Sequence, residues 1–221
     1  MARWFDRRNE GSTAGSPVIT PPRVMAGPRV PRHSGAWAMM RKRLQSEPGL
    51  RIVDVGFTSP SNINYLTELG HSIFLSDLVR DACTGDWKRG EDADGNPILD
   101  ADAFLKHSLD FGERKYDIVL LWTALDYLPQ PFVEPVVAYL YSMMNPGGQV
   151  LAFFHTRTQG PETTNCRFHV TASDSVEVQA SEPFPIQRSF TNRSIEKLFN
   201  GWSGHKQFLA KDSLSEVIMT R

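Results

Sequence analysis

The sequence predicts an α/β domain built on a doubly wound, mostly parallel sheet that ends in an antiparallel hairpin. Three observations predict it. Residues 50–78 read as strand, loop, helix and strand: the apolar run Ile52-Val53-Asp54-Val55-Gly56, a loop of small residues, an amphipathic segment closed by Gly70, and a second run, Ile73-Phe74-Leu75, that stops at Ser76-Asp77. Residues 116–122, Tyr116-Asp117-Ile118-Val119-Leu120-Leu121-Trp122, form the continuous apolar run that suits a parallel strand buried on both faces. Residues 205–209 and 214–220 read as two final strands, joined by a linker short enough for an antiparallel hairpin.

The chain has 221 residues, 40% apolar and 22% charged, enough for one globular domain with a sizeable core. A net charge of -1 gives no electrostatic case for a nucleic-acid partner. Cys83 and Cys166 lie far apart and outside any CxxC pattern, which fits a reducing compartment and offers no metal site. No apolar run approaches the roughly 18 residues of a membrane span. The start of the chain lacks the apolar core of a signal peptide. The expectation is a soluble, cytoplasmic protein.

Taken in order, residues 1–33 stand apart. They hold six arginines and five prolines without hydrophobic periodicity, so they read as an extended basic arm in front of a domain over 34–221. The arm could also serve as a lid or a contact for an acidic partner, with Trp4 and Phe5 as anchors. Ser34 is an N-cap for a helix carrying Trp37, Met40 and Leu44, which Pro48-Gly49 ends. Ser59-Pro60 starts the next helix, because proline suits a first turn. Ile63, Leu66 and Leu69 give it an apolar stripe.

Residues 80–102 are rich in Asp, Glu and Gly. Asp92-Ala93-Asp94-Gly95-Asn96 lacks the spacing of a calcium loop and reads as an exposed turn. A short helix or strand is expected around 103–105, with an acidic turn at Asp110. A loop over 123–129 leads to a helix over 132–144, with Pro135 in its first turn, and Asn145-Pro146-Gly147-Gly148 turns the chain into a strand over 149–155. Residues 167–171 and 176–180 alternate like a hairpin, and Thr191 caps a last helix bearing Ile195, Leu198 and Phe199.

In this order the blocks resemble the class I S-adenosylmethionine-dependent methyltransferases over roughly residues 50–221. Ile52-Val53-Asp54-Val55-Gly56 is similar to that family's first motif, and Phe74-Leu75-Ser76-Asp77 to its ribose-binding acid. Residues 116–121 are similar to its fourth strand. The Asn145-Pro146-Gly147-Gly148 turn is similar to its approach to the fifth strand. The resemblance implies a Rossmann-like sheet of seven strands and S-adenosylmethionine as cofactor, with no metal. Where the family continues Gly-x-Gly-x-Gly, this chain has Thr58 and Pro60 at the second and third positions. A pyrophosphate needs those glycines. S-adenosylmethionine has no phosphate, and a hydroxyl of Thr58 or Ser59, or an N–H at the helix start, could receive its carboxylate.

On this resemblance Asp77 would accept the ribose hydroxyls and Gly56 would let the cofactor approach the backbone. Asp54 would orient the loop or meet the ammonium through water. Asp110 would reach the adenine amino group if a third strand ends near Leu109. Trp122 and Thr123 would flank the transferred methyl. Each has a plainer reading: Asp77 as a helix cap, Gly56 as a turn glycine, Asp54 as a loop brace, Asp110 as a surface turn, Trp122 as core. Asp126, Tyr127 and His155 follow the carboxyl ends of parallel strands, where sites of open α/β sheets lie, and are the candidates for a catalytic base. The family's Asn/Asp-Pro-Pro-aromatic motif, used for planar amino groups, is absent after Leu121, which counts against methylation of adenine or a glutamine amide; the expected acceptor is a small molecule. The alternative is a catalytically inactive relative kept as a binding module.

Overall fold

The computed structural model describes residues 27–160, 163–208 and 212–221. Its elements are β1 (Val30–His33), α1 (Gly35–Ser46), β2 (Arg51–Asp54), α2 (Pro60–Glu68), β3 (Ser72–Leu75), α3 (Leu78–Thr84), β4 (Lys88–Glu91), β5 (Pro97–Leu99) and α4 (Ala101–Leu109). They continue with β6 (Tyr116–Trp122), α5 (Ala124–Tyr127), α6 (Gln130–Met143), β7 (Met144–His155), β8 (Cys166–Val170), β9 (Ser175–Ala180), α7 (Asn192–Leu198), β10 (Gly204–Phe208) and β11 (Leu214–Thr220).

Helix starts follow local chemistry. The side chains of Ser34, Ser59, Asp77, Asp100 and Thr191 each accept a first-turn N–H, and Thr191 completes a capping box with Ser194. Gly70 closes α2 at φ +83°, a conformation that glycine adopts without a Cβ clash. Helix α6 begins at Gln130, so Pro135 falls in its second turn rather than its first, where it leaves the Pro131 carbonyl without its helical donor.

The main sheet runs β3-β2-β6-β7-β11-β10. The first four strands are parallel, and β11 is antiparallel to both β7 and β10. This is the expected doubly wound sheet with its terminal hairpin, with six strands instead of seven. The stretch around 103–105, expected as a short helix or strand, is helix α4 and supplies no third strand, and the Asp- and Gly-rich segment before it folds as a separate two-stranded hairpin, β4–β5. In that hairpin the Asp92 carboxylate accepts from Asp94 N, Asn96 N and Asn96 Nδ2, so it closes its own turn.

Alternation along the strands feeds two cores. Val119, Leu121, Val150, Ala152 and Phe154 face α3 to α7, while Ile118, Leu120, Trp122, Leu151 and Phe153 face α1 and α2. On the second face lies an antiparallel sheet, β1-β9-β8, whose Phe168, Val170 and Val176 are buried against Trp37, Leu66 and Trp122. The end of the segment read as an arm is therefore strand β1, paired with β9 from Val30↔Val178 to His33↔Ser175. Its Arg32 is bound inside the chain, to Asp212 (2.6 and 3.0 Å) and to Glu216. Glu216 is buried and also accepts from Ser34 Oγ and Ala36 N. Trp4, Phe5 and the rest of the expected arm lie outside the described residues, as do Leu209 and Lys211 of the final hairpin. Among the described residues no helix is long and apolar enough to cross a membrane.

Candidate functional site

The parallel strands β2, β3, β6 and β7 all end on one side of the sheet, and their ends carry Gly56, Asp77, Trp122, Thr123 and His155. Two spaces lie there. Gly56, Phe57, Asp77, Trp122, Thr123 and Cys166 border a crevice of about 20 Å³. Beside it is a cavity of about 570 Å³, walled by β1, β8, β9 and the start of β11 and reaching His155. Thr123 and Cys166 belong to both.

The crevice is narrow because of what surrounds Asp54. This carboxylate, buried at the end of β2, accepts from Trp122 Nε1 (2.7 Å), Asn62 Nδ2 (2.8 Å) and Gly56 N (3.2 Å). Burial pushes its pKa up to about 6, and the three donors hold it from rising further. The bond to Asp54 lays the Trp122 indole over Gly56, where an added Cβ would stand 2.7 Å from Trp122 Cδ1. Gly56 does permit a close approach, and the group that makes it is the chain's own indole. Trp122 also stacks on Phe168 (5.1 Å, 6°) and is the non-glycine residue at positive φ (+50°) among the described residues. A strained backbone at the end of a central strand marks a position that its surroundings over-determine.

Asn62 ties this cluster to the smaller sheet. Its Nδ2 also donates to Phe168 O (3.1 Å), and its Oδ1 accepts from Val170 N (2.8 Å). Ser59 accepts from Asn62 N and bonds His169 Nδ1 (2.7 Å), whose other nitrogen meets Gln179 Oε1 (3.1 Å). Burial and the nearby Arg29 and Arg167 lower the His169 pKa, so the ring is neutral. Strand β8 is thus fastened across the first turn of α2. The Ser59 hydroxyl is consumed within the fold, and Thr58 is exposed and does not border the crevice.

Asp77 does border the crevice and also caps α3 through Arg80 N (3.2 Å). Burial raises its pKa, opposed by that bond and by the charges of Arg80 and Arg167. Arg167, on β8, lies over the Phe57 ring (4.1 Å), and its Nε is buried without a hydrogen-bond partner among the described residues. Asp110 is not brought to this place. The residues before it are a helix, and it caps the helix's far end, accepting from Gly112 N and bordering a surface hollow beside Tyr139.

At the other space, His155 rests on Asp126. Asp126 Oδ2 accepts from both His155 N and His155 Nδ1 at 2.7 Å, and Oδ1 has no partner among the described residues. Burial pushes Asp126 up to about 6, against the pull of the His155 bonds. Its loop is pinned by Gln187 N and Arg188 N, which donate to the Asp126 carbonyl, and by Arg188 Nη1, which donates to the carbonyls of Leu125 and Leu128. The Tyr127 hydroxyl, by contrast, donates to Thr163 O (2.9 Å), and burial holds the phenol well above its ordinary pKa. Tyr127 borders neither space and ties the 163–165 stretch to α5. It is not a base.

Of the residues expected at a site, Gly56, Asp77, Trp122 and Thr123 meet at the crevice with Asp54 beneath them, and His155 meets the cavity with Asp126 behind it. Thr58, Ser59, Asp110 and Tyr127 serve elsewhere. Asn62, Arg167 and His169 escaped the sequence reading, because only the pairing of β8 against α2 brings residues more than 100 positions apart into contact. Among the described residues no three His, Cys, Asp or Glu side chains gather as a metal site.

The polar groups suit S-adenosylmethionine in kind: a carboxylate at the end of β3, a glycine backbone beside it, and a guanidinium with a donor to spare. The space does not admit it in this arrangement, since about 20 Å³ is a small fraction of an adenosine. Binding requires groups that border it, such as Phe57 or Trp122, to move outward.

No family model matches the chain, and no curated protein matches it. Solved structures are similar over most of it, among them the following three. TehB from Haemophilus influenzae has 13% identity and a TM-score of 0.47, covering 85% of this chain and 62% of that one. An S-adenosylmethionine dependent methyltransferase from Mesorhizobium loti has 16% identity and a TM-score of 0.46, covering 85% and 98%. A magnesium protoporphyrin IX methyltransferase from Synechocystis, with its cofactor bound, has 16% identity and a TM-score of 0.44, covering 84% and 75%. The chain spans less than two thirds of the length of TehB. Likenesses at this level carry no residue role across, and the strand order with its final hairpin is what makes the fold Rossmann-like.

Proposed function

We propose that this chain is an S-adenosylmethionine-dependent methyltransferase acting on a small molecule. The observation that carries the reading is the meeting of the two spaces at Thr123 and Cys166: a crevice bordered by Gly56 and Asp77, and an apolar cavity ending on His155. The cofactor, when bound, supplies an electrophilic methyl on a sulfonium. The protein's part is to align an acceptor with it and exclude water. Asp77 would hold the ribose hydroxyls and Arg167 the carboxylate end. His155 would be the base that takes the proton leaving the acceptor, with its ring oriented through Nδ1 by Asp126. The described cysteines are free thiols, which suits the cytoplasm.

Calorimetry with S-adenosylmethionine on the full chain tests this. Because Asp77 also caps α3, Asp77→Ser is the informative variant: it keeps an N-cap oxygen and removes the carboxylate. Saturable binding that weakens at least tenfold in Asp77→Ser supports the assignment. No heat at millimolar cofactor, or a variant equal to wild type, overturns it. The indole over Gly56 and the clasp of β8 on α2 favour a second reading, a methyltransferase-like binding module without catalysis. That reading takes over if calorimetry shows no binding.

A further inference from the structure

We propose that Trp122 is a gate: its indole, latched to Asp54, closes the crevice at Gly56 and Asp77 and swings aside to admit the cofactor. The proposal rests on the methyltransferase reading and says how that site opens.

Three observations make the indole a cover rather than a piece of core. The first is the glycine beneath it. Gly56 is not at positive φ, so its backbone conformation does not demand glycine. The ring demands it, because an added Cβ would meet Trp122 Cδ1 at 2.7 Å and Nε1 at 3.2 Å. The close approach that a ligand could use is taken by the chain's own side chain. The second is the Trp122 backbone, held at φ +50°, where a non-glycine residue rarely sits. The third is the hold on the ring: Nε1 donates to Asp54 Oδ1 (2.7 Å), and the ring touches Phe168 and Phe153 (centroids at 5.1 and 5.6 Å).

Opening breaks the latch without stranding a charge. Asp54 Oδ1 also accepts from Gly56 N (3.2 Å), and Oδ2 accepts from Asn62 Nδ2 (2.8 Å), so each carboxylate oxygen keeps a donor when the indole leaves. Asn62 is itself fixed to β8 through Phe168 O and Val170 N, so the acid stays in place. Release also lets the Trp122 backbone relax. Thr123, the next residue, borders both the crevice and the larger cavity, so a space of about 570 Å³ adjoins the gate. With the ring aside, the Gly56 backbone is uncovered next to the Asp77 carboxylate.

Calorimetry with S-adenosylmethionine on the full chain and on Trp122→Phe tests the gate. The variant keeps a ring for Phe168 and removes the N–H that makes the latch. A gate that holds most chains closed lowers the apparent affinity by the open fraction, so Trp122→Phe should bind about tenfold tighter than wild type. Should it fail to fold, Trp122→Leu takes its place with the same expectation. In isotope-labelled wild type, the Trp122 Nε1–H resonance is the indole signal missing from the variant. It should leave its carboxylate-bonded position as the cofactor saturates. Wild-type binding with a variant that is no tighter, or an indole signal unmoved at saturation, overturns the gate and leaves the methyltransferase reading standing. Binding by the variant but not by wild type supports the gate, in a chain latched shut. No binding by either at millimolar cofactor removes the methyltransferase reading and the gate with it.

Discussion

Replacing Gly56 by alanine asks whether the glycine serves the cofactor or the chain's own indole. The new Cβ would stand 2.7 Å from Trp122 Cδ1, 3.2 Å from Trp122 Nε1 and 3.4 Å from Asp54 Oδ1. The first distance is well inside contact, so the indole must retreat by most of an ångström. It then loses its bond to the Asp54 carboxylate, about 1.5–3 kcal/mol for a charge-assisted hydrogen bond. It also disturbs the stack on Phe168, about 0.5–1.5 kcal/mol. Gly56→Ala should therefore cost about 2–4 kcal/mol of stability at pH 7.5. In a Trp122→Ala background the obstacle is gone, and the same change should cost under about 0.5 kcal/mol. Urea unfolding of the wild type, both single variants and the double variant measures the coupling as a double-mutant cycle. A glycine needed only for a ligand would leave ligand-free stability alone. A Gly56→Ala cost below about 0.5 kcal/mol, or the same cost in both backgrounds, would refute the geometry.

The pH dependence of Asp54 has a definite sign. Its folded pKa of about 6 lies above the ordinary 3.8, so the folded state binds the proton more tightly. Stability from this group is complete below about pH 4 and is lost as pH rises through about 6. Between pH 7.5 and 5 that is a gain of about 1.4 kcal/mol on acidification, at 1.36 kcal/mol per pKa unit. It should vanish from the profile of Asp54→Asn, and a wild-type minus variant difference that stays flat over this range would contradict it. Arg32→Ala should lose about 3–5 kcal/mol in urea unfolding, because it strands the buried Glu216; a loss under about 1 kcal/mol would show the pair to be unimportant. Trp122→Phe removes the indole N–H and with it the latch to Asp54, so calorimetry should show S-adenosylmethionine binding about tenfold tighter than wild type; weaker binding would mean that the indole holds the cofactor instead of covering its place.

Much of the fold was legible because it is written in local patterns. The buried runs of β2 and β6, the caps Ser34, Ser59 and Thr191, and the turn at Gly147, with its φ of +76°, are each decided by residues within a few positions. The rest depended on partners far along the chain. Val30–His33 has no strand periodicity of its own and is a strand because β9 supplies its hydrogen bonds. Residues 92–96 read as an exposed turn, which they form, but the flanking β4–β5 pairing has little apolar content to announce it. Asp110 was to reach the cofactor only at the end of a third strand; Phe104 and Leu105 instead sit in a capped helix whose buried face repeats every three to four residues, and Asp110 takes its plainer reading as a surface turn.

The site was legible to the same extent. Asp77 and His155 lie at strand ends, which the order of elements dictates. That Gly56 would be covered could not be read, because the cover is a residue 66 positions later whose orientation is set by Asp54, Phe168 and a backbone at φ +50°. That last feature bears on the function. A non-glycine residue held there costs on the order of 1–3 kcal/mol. The Trp122–Asp54 bond that holds it is worth about 1.5–3 kcal/mol. With the stack on Phe168 added, about 0.5–1.5 kcal/mol, the closed arrangement keeps a net preference on the order of 1–2 kcal/mol. A ligand that prefers the open arrangement by a few kcal/mol is enough to shift the population, and its apparent affinity falls only by the fraction of chains already open. An irretrievably lost pocket would show a relaxed backbone and no carboxylate beneath its plug. Here the plug is an indole on a charged latch, and for that reason the closed crevice and a cofactor site are compatible.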